Sequence, residues 1–129
     1  MTYYFARQLS AGFEEAIAKV TEALKREGFG ILTTIDVRDT LKKKIDVDFR
    51  NYRILGACNP GLAHRALELE DKVGTMLPCN VIVQELAPNK IEVAAIDPVA
   101  SMRAIDNPRL KDAAGEVQAK LRKVIESLV

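Results

Sequence analysis

The thiols are the first groups to consider, because the chain has two cysteines and one histidine and few other strong nucleophiles or soft ligands. Cys58 lies in Gly56-Ala57-Cys58-Asn59-Pro60 and Cys79 in Leu77-Pro78-Cys79-Asn80, so each thiol is followed by an asparagine. Asn59-Pro60 is a helix-opening pair, which predicts Cys58 at the end of a strand and beside a helix N-terminus. The orphan amides and dipole there stabilise a thiolate. With Cys58 as attacking thiolate and Cys79 as resolving partner, the pair could do redox or sulfur-handling chemistry.

A plainer account uses the same residues. Free cysteine packs as a small hydrophobe, Asn59 suffices as an N-cap, Pro60 as a first helical residue, and Pro78 as a strand entry. A third account makes the thiols and their asparagines, Asn59 and Asn80, contacts for a small-molecule ligand. A metal is not expected: Cys58, Cys79 and His64 are the one soft-ligand set available, and no Cys-x-x-Cys or His-x-x-x-His spacing supports it.

Other candidates are weaker. His64 stands one helical turn before Glu68, the spacing of a surface ion pair, and a Cys-His or Ser-His-Asp triad would rest wholly on it. Tyr52 and Arg53 precede Cys58 in the same strand, where alternation sends them to opposite faces; one of them, with Arg53 the candidate, could share the cleft of Cys58. Gly28-Phe29-Gly30 leads from a helix into a strand, the reverse of a phosphate cradle, so no nucleotide cofactor is expected. Asp36, Asp46, Asp48 and Asp97 fit caps and turns before acid/base work. Lys42, Lys43 and Lys44 crowd one helix end, as the dipole favours.

These residues must be held by a regular scaffold. Tyr3 to Leu9 reads as a strand, and Phe13, Ala16, Ile17, Val20, Ala23 and Leu24 recur at helical spacing up to a stop at Gly28. Phe29 to Ile35 is a second strand, and Asp36 caps a short helix lined by Val37, Leu41 and Ile45. Phe49 to Cys58 is a third strand. Asn59-Pro60 opens a helix with Leu62, Ala66 and Leu69 on one stripe, ended by Gly74. Met76 to Leu86 and Lys90 to Ile96 are strands joined through Ala87-Pro88-Asn89, short enough for a hairpin. Asp97-Pro98 opens a short helical turn. Asn107-Pro108 opens the last helix, whose stripe of Leu110, Ala114, Val117, Leu121, Val124, Ile125 and Leu128 must cover a sheet or a partner.

That order predicts an α+β two-layer sandwich, with a mostly antiparallel five-stranded sheet carrying the two long helices on one face. A doubly wound parallel sheet is the competing arrangement. If the strands holding Cys58 and Cys79 are antiparallel neighbours, the end of one and the start of the next share a sheet edge, which brings the thiols together.

Composition limits the partners. The 129 residues are 48% apolar and 29% charged, with 19 basic against 18 acidic side chains. One domain over 1–129 is expected, large enough for a core without staples. The near-zero balance argues against a nucleic-acid or membrane partner. No basic and apolar leader and no spanning segment is evident, so a cytoplasmic location with reduced thiols is the default.

The runs Gly28-Phe29-Gly30-Ile31-Leu32, Ile35-Asp36-Val37, Thr40-Leu41-Lys42, Val47-Asp48-Phe49, Tyr52 through Pro60, and Leu77-Pro78-Cys79-Asn80-Val81 together resemble the domain-of-unknown-function family 302, over nearly the whole chain. The resemblance implies a strand, helix, four strands, helix core of the TATA-binding-protein-like kind, with extra short helices, and no established activity. Sharing a fold with a DNA binder does not import its function. Two functional expectations remain: a homodimeric module that binds a small ligand or partner at the Cys58/Cys79 edge, and a thiol-dependent redox protein using both cysteines. No complete catalytic set favours an enzyme.

Overall fold

The computed structural model describes residues 2–129, so Met1 at the head of the N-terminal stretch read above lies outside it. Five strands form a single sheet: β1 (Tyr4–Leu9), β2 (Gly30–Asp36), β3 (Tyr52–Cys58), β4 (Cys79–Ala87) and β5 (Lys90–Ile96). Their order across the sheet is β1-β5-β4-β3-β2, and every neighbouring pair is antiparallel. That excludes the parallel alternative. The helices are α1 (Phe13–Arg26), α2 (Val37–Ile45), α3 (Pro60–Leu69), α4 (Pro98–Ser101) and α5 (Pro108–Ser127), with a 3₁₀ turn over Asp71–Met76.

Caps set most helix starts. The side chains of Asp36, Asn59, Asp97 and Asn107 each accept a hydrogen bond from a backbone N–H of the first turn, and proline follows the last three. Three boundaries are displaced by three or more residues from the sequence reading, one of them the start of β4, at Cys79 instead of Met76, which belongs to the 3₁₀ turn. The helix opened by Asn59 ends at Leu69 because Glu70 is extended (φ −149°), and the chain then winds into the 3₁₀ turn that contains Gly74. Strand β3 starts at Tyr52 instead of Phe49. Arg50 there turns aside to stack on the Phe49 ring, 4.4 Å away, while its Nε donates to Gln84 Oε1 at 2.8 Å.

Alternation divides the sheet into two unlike faces. Leu55, Val81, Val83, Ile91 and Val93 point to one side and are fully buried under Val20 and Leu24 of α1 and Leu121 and Val124 of α5. This is the main core. A second, smaller cluster of Ala66, Val73, Met102, Leu110 and Ala114 lies beside it, where α3, the 3₁₀ turn and α4 meet the first half of α5. Polar ties hold that side together: Asn107 Nδ2 donates to the Leu69 carbonyl at 2.9 Å, Gln118 Nε2 donates to Asp97 Oδ1 at 3.0 Å, and Arg65 of α3 pairs with Glu116 of α5 at 2.9 Å.

Strand β2 carries a bulge. Ile31 pairs with Ala57 and Thr33 with Gly56, which leaves Leu32 as the extra, exposed residue.

Candidate functional site

The antiparallel pairing of β3 and β4 sets Ala57 directly opposite Cys79. Cys58 is the last residue of β3 and is half-buried, whereas Cys79 is the first of β4 and is buried; both thiols are free. Asn59 follows as the cap of α3, its Oδ1 accepting from the Leu62 N–H at 3.3 Å. The Leu77-Pro78 peptide that leads into Cys79 is cis, a feature with no distinguishing mark in the sequence.

Both cysteines line one cavity of about 360 Å³ at the seam between the two hydrophobic clusters. The sheet end supplies Ala57, Cys58 and Cys79, α3 supplies Ala63 and Ala66, and α5 supplies Ala113 and Ala114. Alanines on facing helices leave the room that leucines would fill. Leu32 and Leu67 also line it while being exposed, at 68% and 43%, and so mark its mouth. Apart from the two thiols and Asn59, the named walls are hydrocarbon.

Burial has an electrostatic consequence for Cys79. Burial pushes the Cys79 thiol up from its ordinary 9.0 to about 11, and the neighbouring Cys58 adds to the rise. Cys79 is therefore a neutral thiol across the physiological range. Gly28 backs the site from behind. It has φ +85°, and a Cβ there would meet Asn59 Nδ2 at 3.0 Å.

The other candidates fall elsewhere. Arg53 is on the helix-covered face but at the opposite end of β3, five residues and about 16 Å of strand from Cys58. Its guanidinium pairs with Glu14 at 2.9 Å and Asp36 at 3.3 Å and lies 5.3 Å from the Phe13 ring centre. It ties α1 to the sheet and does not share the cleft, which corrects that expectation. Asn80 pairs with Gly56 and is exposed on the open face of the sheet, away from its neighbour Cys79. Of the four residues of the two Cys-Asn pairs, three meet at the cavity. His64 is 77% exposed and accompanies Glu68 at 3.1 Å, so it does not join the thiols. Asp36 and Asp97 serve as caps, and Lys42 and Lys43 pair with Asp46, Asp48 and Asp39.

Sequence reasoning missed the far wall, Met102, Leu110 and Ala114. The available signal was the small-residue spacing of Ala63 and Ala66 against Ala113 and Ala114.

The sequence profile described as "Domain of unknown function DUF302" matches residues 5–128. No curated protein matches the chain. Among solved structures, the crystal structure of an uncharacterised conserved DUF302 protein from Bacillus stearothermophilus is similar over 100% of both chains, with 28% identity and a TM-score of 0.91.

Proposed function

Because the chain belongs to the DUF302 family, a name that carries no activity, we propose from the site alone that it is a binding module for a small, uncharged, largely apolar molecule held in the seam cavity. The cavity itself carries this reading. Its volume of about 360 Å³ lies within the range of small-molecule sites, about 300–1,000 Å³, and its apolar walls gain most from a ligand that loses little hydration. The thiols of Cys58 and Cys79 and the amide of Asn59 supply the few polar contacts that would orient such a ligand.

The thiol-redox alternative asks Cys79 to act as a resolving thiolate. A thiol held up to about 11 by burial is a poor one, which favours binding over exchange.

The neutral fluorophore N-phenyl-1-naphthylamine tests the proposal. Saturable fluorescence enhancement is expected, together with slower N-ethylmaleimide alkylation of Cys58 when the probe is bound. Ala63→Leu, which places a larger side chain in the cavity, should abolish both effects while the chain stays folded. Enhancement that persists undiminished in Ala63→Leu would sink the proposal, and so would no enhancement in the native chain.

A further inference from the structure

Helices cover one face of the sheet, and the other face has its own pattern. There the register sets Ala6 beside Ala94, Ala94 beside Ile82, Ile82 beside Ile54, and Ile54 beside Ile35. One apolar row, uninterrupted by a charge, thus crosses all five strands. Ala6 and Ile35 at its ends are exposed, Ile35 at 46%, and the inner three are half-buried. Next to it runs a polar row of Gln8, Glu92, Gln84 and Tyr52. Gln84 Nε2 donates to Glu92 Oε1 at 2.8 Å, and Arg50 reaches Gln84 from the far side with its guanidinium 5.7 Å from the Tyr52 ring centre.

We propose that this face binds a second copy of the chain, in a symmetric pair whose two-fold axis runs along β4. The sizes of the row residues carry the assignment. Strand β4 is the middle strand, with the small Ala94 and Ala6 on one side of Ile82 and the large Ile54 and Ile35 on the other. A two-fold along β4 brings Ile82 onto Ile82 and sets each alanine against an isoleucine of the second copy. A two-fold along the row would oppose isoleucine to isoleucine and alanine to alanine, wedging the sheets apart.

Charge agrees with size. The axis along β4 carries Glu92 over Tyr52 of the second copy, beside Arg50 of that copy, so a carboxylate meets a cation twice. The area is sufficient: five strands about 4.8 Å apart and about six residues long present roughly 500 Å² per copy, or roughly 1,000 Å² in all. That reaches the lower size of a specific interface, about 1,000 Å². Strands related by such an axis run near parallel, the usual geometry of aligned sheets. The pairing leaves the mouth at Leu32 and Leu67 outside the apolar row, so it goes beyond the cavity reading and stands or falls apart from it.

Sedimentation velocity of the full chain tests it. The mass of two chains is expected, and Ile82→Asp should return the mass of one with the circular dichroism unchanged. Glu92→Arg and Arg50→Glu should each weaken the pair at least tenfold, whereas an equimolar mixture of the two variants should restore it, because each then meets its opposite charge. A native chain that sediments as a monomer overturns the proposal. A dimer that survives Ile82→Asp, or whose charge variants do not rescue each other, overturns the face or the axis.

Discussion

Helix α5 serves two packing environments, and they differ in what they leave empty. Its second half, at Leu121 and Val124, meets branched side chains of the sheet and of α1, and those side chains are fully buried. Its first half, at Leu110 and Ala114, meets three short elements across a space of about 360 Å³. Long elements carrying large aliphatics close on one another, whereas short ones carrying alanines are held at a distance by their hydrogen-bonded ties. The main core is therefore built for stability and the seam for room.

That contrast is most sharply tested by truncation. Leu121→Ala is expected to cost about 3–5 kcal/mol, and Leu110→Ala nearer about 2 kcal/mol because Leu110 already borders the open space and has fewer packing contacts to lose. Urea midpoints at constant m measure both, and equal losses would break the comparison.

The buried thiol gives the next largest effect. Between pH 9 and 11 the unfolded chain has released the Cys79 proton while the folded chain keeps it, so stability falls as pH rises through that window. The loss approaches about 2 kcal/mol by the upper end, since one pKa unit is about 1.4 kcal/mol. Cys79→Ala should flatten that part of the profile relative to the native chain, as read by denaturation at paired pH values. An unchanged slope would mean that Cys79 opens to water.

Asn107→Ala removes a helix cap and the hydrogen bond to the Leu69 carbonyl together. About 1–2 kcal/mol of stability is expected to go, along with a measurable part of the fluorophore affinity, because that bond holds one wall of the seam. The smallest thermodynamic change belongs to Ala63→Leu. Filling existing space should alter stability by less than about 1 kcal/mol while removing the probe site; a large destabilisation would show that the seam has no room for a leucine at this position.

Much of the scaffold could be read from residues with local rules. Asn59-Pro60, Asp97-Pro98 and Asn107-Pro108 placed three helix starts, and the hairpin between β4 and β5 followed from its short connection. The meeting of Cys58 and Cys79 followed from antiparallel pairing. Other features depend on tertiary contacts. Glu70 ends α3 by its backbone conformation, so Gly74, an attractive stop, lies in the 3₁₀ turn instead. The cavity is a volume between side chains far apart in sequence, and no single residue announces it. Arg53 was misplaced for a related reason: its partners, Glu14 of α1 and Asp36 at the end of β2, come together only in the tertiary fold and hold its guanidinium at the start of β3.

The bulge at Leu32 has a consequence for assembly at high concentration. Every open sheet has two outer strands whose free amides and carbonyls could recruit another chain and then another, without end. The extra residue in β2 breaks the regular spacing of such groups along one outer strand, and β1 at the other is only six residues long. Growth by adding strands is thereby discouraged at both margins. The pair proposed through the flat of the sheet is closed and would stop at two, association without polymerisation.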